Sequence, residues 1–168
     1  MDFETANRLF AYDPETGILK WRMSISRWKA GAVAGTPSSN GRYLAVRYHD
    51  KFYQVHRIAF LLMTGRWPDP EIDHVNGLKH DNRWGNLREA SGSQNAANRK
   101  VARTNKLGVK GVILKVRYGI AKYEAVIRIA GKQKHLGRFS TIQEAQHAYR
   151  VAAEQHYGPF ARTQENFQ

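Results

Sequence analysis

Between residues 109 and 139 the chain carries three short runs of β-forming residues, and one amphipathic helix pattern follows them. The runs cover 109–116, 122–129 and 134–139, separated by Arg117-Tyr118-Gly119 and Ala130-Gly131-Lys132. Beyond them Ser140 and Thr141 offer an N-cap, with Glu144 three residues after Thr141. Ala145, Ala148, Tyr149, Ala152 and His156 recur every three or four positions, which marks one face of a helix ending near Tyr157 at Gly158-Pro159. Alanine on that face lets the helix sit close against a sheet. Three strands and one helix make a two-layer domain of about 55 residues, so much of the chain must form something else.

The rest changes character several times. Leu9-Phe10-Ala11-Tyr12, the turn-rich Asp13-Pro14-Glu15-Thr16-Gly17 and Ile18-Leu19-Lys20-Trp21 read as a hairpin within a stretch of short strands. A looser basic segment spans 22–41, and 43–48 and 52–55 read as further strands. Residues 56–64 form about two helical turns, stopped by Gly65 and then by Pro68 and Pro70. Ile72-Asp73-His74-Val75 reads as extended up to the turn Asn76-Gly77, a polar loop follows, and 82–90 returns. Ser91 and Gln94 form a capping box for a helix reaching about Ala102, and 103–107 reads as a linker or extended arm.

Charge narrows the partners. Residues 1–90 hold 13 basic and 10 acidic side chains, whereas residues 91–168 hold 14 and 4. Within 98–139 there are 12 Lys or Arg and a single acid, Glu124, so a polyanion is the first partner to consider. No apolar run is long enough for a membrane span, and the first ten residues lack a signal-type apolar core, so the expected location is cytoplasmic. Cysteine is absent, which excludes disulfides, thiol nucleophiles and cysteine-based zinc sites. No obligate protein partner is evident.

Asp73-His74 before an Asn-Gly turn, with asparagines spaced beyond it, has the parts that phosphodiester hydrolysis requires. Imidazole titrates near neutrality and can activate water, while Asp and Asn oxygens suit a hard cation such as Mg²⁺. Two other readings stand beside this one. Asp73-His74 can be a loop hydrogen-bond pair among turn and cap asparagines, and a zinc site would need a tighter His spacing than His56, His74 and His80 show. Asn82 reads as a turn residue, with a second brace as the alternative, His56 as a cap or packed histidine, and the tryptophans as core anchors, with Trp28 the exception.

The series Val55-His56-Arg57-Ile58-Ala59-Phe60, Ile72-Asp73-His74-Val75-Asn76-Gly77, Asp81-Asn82-Arg83-Trp84-Gly85-Asn86-Leu87-Arg88 and Gln94-Asn95-Ala96-Ala97-Asn98 resembles the HNH endonucleases. The likeness is to their phage and intron-encoded homing branch, and the Tyr12–Trp21 leader resembles that of many phage members. It covers about residues 8–100. It implies a ββα-metal unit in which Asp73 and Asn95 hold one Mg²⁺ or Mn²⁺, His74 is the general base and Asn86 braces the loop that holds His74. The implied products carry a 5′-phosphate and a 3′-hydroxyl. Neighbouring side chains of a regular strand face opposite ways, so Asp73 and His74 share a metal site only where the strand ends or distorts.

The C-terminal pattern carries a second resemblance. Gly108-Val109-Lys110-Gly111-Val112, Lys122-Tyr123-Glu124-Ala125-Val126-Ile127, His135-Leu136-Gly137-Arg138-Phe139-Ser140-Thr141 and the spaced alanines of the helix look like the APETALA2-type DNA-binding domain of plant ethylene-response factors. Such domains also occur at the C-terminus of phage HNH endonucleases. In that family the sheet enters the major groove and the helix packs behind it. Tyr123 stands where Trp is common, and Ile113-Leu114 partly replaces a basic run. Lys110, Lys115, Arg117, Lys122, Tyr123, Arg128, Lys134 and Arg138 are the candidate DNA contacts, joined by Asn98 and Arg99 beyond the capping box. Arg117 and Arg128 are the leading base readers, because the guanidinium fork can donate twice to guanine.

The sequence therefore predicts an α+β protein: a nuclease domain over 1–102 with its ββα-metal core at about 72–102, a linker at 103–107, a three-stranded antiparallel sheet on one helix over 108–163, and a tail at 164–168. The expected activity is divalent-metal-dependent hydrolysis of double-stranded DNA. The alternative is a non-catalytic sequence-specific DNA-binding regulator.

Overall fold

A computed structural model describes residues 1–162. The expected tail, and the last residue of the expected 108–163 domain, lie outside the described residues. The chain forms two compact units, Met1–Ser91 and the part from Gly92 onward. It is a mixed α/β protein with four α-helices and four small sheets among the described residues. No helix in the described residues is long and apolar enough to cross a membrane.

The first unit runs α1 (Phe3–Leu9), β1 (Phe10–Tyr12), β2 (Leu19–Trp21), β3 (Thr36–Pro37), β4 (Leu44–Tyr48), β5 (Lys51–Gln54), α2 (Val55–Thr64), β6 (Glu71–His74), a 3₁₀ turn (Trp84–Asn86) and β7 (Leu87–Ala90). Helix α1, for which the sequence reading gives no element, precedes the expected hairpin. Asp2 Oδ1 accepts the Thr5 N–H at 2.8 Å, and the helix buries Ala6 and Leu9, so a local cap and two apolar positions are enough to start it. The hairpin β1–β2 forms as expected, pairing Phe10 with Trp21 and Tyr12 with Leu19. Leu9, Phe10, Leu19, Trp21, Val46, Val55 and Ile58 form one core. Trp28 belongs to its margin, stacked on Trp21 with ring centroids 6.3 Å apart, so it is a packing residue and not the exception expected of it.

Helix α2 ends at Gly65, as its sequence predicts. Its face carrying Ala59 and Phe60 packs on Ile72 of β6 and Leu87 of β7. Arg57 donates to the Pro68 and Pro70 carbonyls at 3.2 and 3.3 Å, which ties the same helix to the segment that leads into β6. Strands β6 and β7 pair antiparallel, with Asp73 opposite Arg88 and His74 opposite Leu87.

The second unit begins with α3 (Gly92–Ala97) and continues through β8 (Val112–Arg117), β9 (Ile120–Ile129), β10 (Lys132–Phe139) and α4 (Ile142–Tyr157). Helix α3 stops at Ala97, short of the expected Ala102. The Lys110 ammonium takes the Ala97 and Arg99 carbonyls, and the Arg162 N–H donates to Ala97 O at 3.3 Å, so the acceptor of the next helical turn is already used. Residues 103–107 are not an extended arm. Asn105 organises them into turns, donating from Nδ2 to Val109 O at 2.7 Å and accepting the Leu107 N–H at 3.0 Å.

The sheet order is β10-β9-β8, all antiparallel, and α4 packs on one face through Ala145 and Ala153. Thr141 and Glu144 form the expected capping box. Tyr149 lies directly over Gly111, where a Cβ would fall 1.9 Å from the ring, and Gly111 also holds a φ of +70°. His156, expected on the packed face, is exposed. A bulge between His135 and Gly137 leaves Leu136 outside the register and turns it into the core.

Candidate active site

The antiparallel pair β6–β7 and the loop that joins its strands position the chemistry of the first unit. Asp73 and His74 end β6, and both are buried. The chain turns immediately after them: the Gly77 N–H donates to His74 O at 2.8 Å, and the Val75 N–H donates to Asn86 O at 2.9 Å. The strand thus ends at the Asp-His pair, with both residues still in register with β7.

Asn86 clamps the loop. Its Oδ1 accepts the Asn76 N–H at 2.9 Å and its Nδ2 donates to Asp81 O at 2.7 Å, so one side chain bridges both ends of 76–81. Asp81 adds a second tie, accepting from Asn76 Nδ2 at 2.7 Å and from Arg83 Nη2 at 2.6 Å. Those bonds, Arg83 first, hold its carboxyl down at about 2. Asn86 thus acts on the backbone of the loop that follows His74.

Asn82 meets the His74 ring. Its Oδ1 lies 3.2 Å from His74 Nε2, and both residues are buried. Of the two readings of Asn82 from the sequence, a turn residue and a second brace, the contact with His74 agrees with the brace. Burial pushes the His74 pKa below its ordinary value, with Lys79 adding to the effect, while the Asn82 bond and the charges of Asp73 and Asp81 oppose it. His56 is packed as expected: its ring lies edge-on to His74 at 5.0 Å and 5.0 Å from Tyr43, and burial pushes its pKa down to about 3.

Asp73 is engaged across the hairpin. Arg88 donates to Asp73 Oδ2 from Nε at 3.0 Å and from Nη2 at 2.8 Å. The sequence carried the signal in the Leu87-Arg88 pair, but only the register shows which acid Arg88 serves. Among the described residues no group of three or more His, Cys, Asp or Glu side chains converges. One buried carboxylate is a sparse donor set. It fits a hard ion that keeps much of its water and takes substrate phosphate as ligand, which is how Mg²⁺ is commonly bound. Asn95 lies on α3, in the second unit.

The candidate DNA contacts divide by face. Ala125 and Ile127 of β9 face α4, so by register Lys115, Arg117, Lys122, Arg128 and Arg138 share the opposite face. Arg138 is already paired with Glu124 at 2.8 Å, and Lys122 donates to Ser140 Oγ at 3.0 Å. Three candidates do not belong to that face. Tyr123 packs in the core beneath α4, and Lys134 pairs with Ile127 on the helix side. Lys110 is spent on capping α3, and burial, followed by the nearby Arg162 and Arg99, lowers its pKa to about 8. Asn98 is buried and Arg99 is exposed.

Residues 53–97 match the family described as HNH endonuclease. A protein of Acanthamoeba polyphaga mimivirus, named an uncharacterized HNH endonuclease, is 30% identical over 110 residues, which cover 64% of this chain and 55% of the relative. The chain thus spans about half the length of that relative. No solved structure matches. The matched segment holds Asp73, His74, Asn82, Asn86, Arg88 and Asn95.

Proposed function

We propose that the protein is a divalent-metal-dependent endonuclease acting on double-stranded DNA, of the homing type, and that its products carry a 5′-phosphate and a 3′-hydroxyl. The observation that carries this reading is the buried His74 ring beside the buried carboxylate of Asp73 at the end of β6. His74 accepts the proton of the attacking water. Asp73 and, from the sequence alone, Asn95 are the oxygen ligands of Mg²⁺ or Mn²⁺. Asn86 keeps the loop from yielding when the phosphate enters. The chemistry a divalent ion supplies at such a site is neutralisation of charge on the phosphate and on the departing 3′ oxygen.

The second unit is the DNA-targeting module in this proposal, with the APETALA2-type resemblance as its basis. Lys115 and Lys122 stand directly opposite one another on the face away from α4. Like charges in that relation repel, and a phosphate between them removes the penalty. Supercoiled plasmid titrated with Mg²⁺, Mn²⁺ and a chelator tests the nuclease assignment: nicked or linear product should appear only with the ion. Equal cleavage in chelator contradicts it.

A further inference from the structure

The hairpin β1–β2 precedes the Asp73-His74 pair by some distance in sequence and contributes no group to the chemistry proposed above. It nevertheless grips two successive peptides of the loop beside His74. Tyr12 donates from its hydroxyl to Asn82 O at 2.7 Å, and the Trp84 N–H donates to Pro14 O at 2.9 Å. Gly17, at a φ of +72°, lies so close that a Cβ there would fall 2.4 Å from Arg83 N and 2.5 Å from Asn82 C. From this gripped backbone the Asn82 side chain reaches His74 Nε2.

An amide oxygen only accepts, so the Asn82–His74 contact is a hydrogen bond only when Nε2 carries the ring proton. Nδ1 then holds the lone pair. The other atom of the Asn82 amide, Nδ2, is buried without a hydrogen-bond partner among the described residues. A buried amide with one end unsatisfied is retained where the other end has a task.

We propose that β1–β2 is a positioning element of the active site: Tyr12, Pro14 and Gly17 fix the Asn82 backbone, and Asn82 Oδ1 holds His74 in the Nε2–H tautomer, which leaves Nδ1 to take the proton from water. The proposal rests on His74 being the general base. Asn82 is a positioning residue, since it acts through the imidazole.

Long-range ¹⁵N–¹H correlation of the histidine rings in the full chain reads the tautomer without any cleavage, His74 being assigned by the loss of its signals in His74→Ala. The wild type should show the Nε2–H pattern. Asn82→Asp, which keeps the acceptor, should retain it. Asn82→Leu should give a mixture or the opposite tautomer, and Tyr12→Phe and Gly17→Ala should give partial mixtures. Cleavage by Asn82→Leu and Tyr12→Phe should fall in kcat by roughly tenfold or more with KM little changed, as for misaligned base catalysis. An Nδ1–H tautomer in the wild type, or an unchanged pattern in folded Asn82→Leu, overturns the proposal. If Asn82→Leu does not fold, Tyr12→Phe decides, and an unaltered tautomer there removes the hairpin's part. The expected tautomers in a protein that cuts no DNA with any divalent ion support the positioning and refute the nuclease reading.

Discussion

Arg88 places two of its guanidinium nitrogens on a single oxygen of Asp73, at 3.0 and 2.8 Å, from the directly opposite position of the β6–β7 pair. The Asp73 side chain is 1% exposed and that of Arg88 20%, so the pair is largely withdrawn from water. Removing one partner of such a pair costs about 3–5 kcal/mol, because a buried charge loses its counter-ion. Arg88→Met should therefore lower the urea midpoint strongly. If Asp73 binds the divalent ion, millimolar Mg²⁺ should recover part of the loss in Arg88→Met and none in the double variant with Asp73→Asn.

A second outcome concerns acid. The folded His56 pKa of about 3 lies below its ordinary value of 6.5 because burial disfavours the imidazolium, with His74 and Arg57 adding charge repulsion. The unfolded chain then takes up the proton first as pH falls. The stabilisation from neutral His56 is complete above about pH 6.5 and is lost progressively toward pH 3. Urea midpoints measured across that range should drop in the wild type and drop less in His56→Leu.

Asn86→Ala removes the bridge between Asn76 N–H and Asp81 O. Leaving two buried or half-buried partners unsatisfied should cost about 2 kcal/mol. Amide exchange should accelerate over residues 76–81 and remain unchanged in α1, which would locate the effect in the loop.

Much of this arrangement is legible in the sequence where local chemistry decides it. The hairpin around Asp13–Gly17, the helix stopped by Gly65 and the capping box at Thr141 each depend on residues a few positions apart. The parts that escaped depend on register and loop path. Nothing near Arg88 says that it faces Asp73, and the contact of Asn82 with His74 needs the whole loop folded by Asn86 first. Lys110 reads as a surface cation because its carbonyl partners, Ala97 and Arg99, lie more than ten residues earlier. Tyr123 and Lys134 read as members of the exposed face without the strand register, which alternation fixes only once one buried residue is known. Helix α1 was within reach: Asp2 as N-cap with Ala6 and Leu9 inward is a short but ordinary start signal.

On the second unit, Gly111→Ala should destabilise more than a surface change of the same size. A Cβ would meet the Tyr149 ring at 1.9 Å, and φ is +70°. Overpacking and the left-handed backbone together should cost about 2–4 kcal/mol. Circular dichroism on heating should show the loss, and Gly119→Ala, where a Cβ meets nothing within 4 Å, should cost less.

For DNA binding, Lys115→Ala and Lys122→Ala should weaken all sequences alike and reduce the salt slope by about one each, as lost phosphate contacts do. Arg117→Ala and Arg128→Ala should each cost about 1–3 kcal/mol at one base position. Lys134→Ala, on the helix side, should have a smaller effect than any of them. Selection from a randomised duplex library at two salt concentrations separates these classes.

The central claim is tested most directly by single-turnover cleavage of duplex DNA with Mg²⁺, comparing wild type with His74→Ala and analysing the ends. The account predicts 5′-phosphate and 3′-hydroxyl termini from the wild type, and a loss of at least about a hundredfold in His74→Ala, the scale of a removed general base, with DNA affinity retained. Undiminished cleavage by His74→Ala would contradict it.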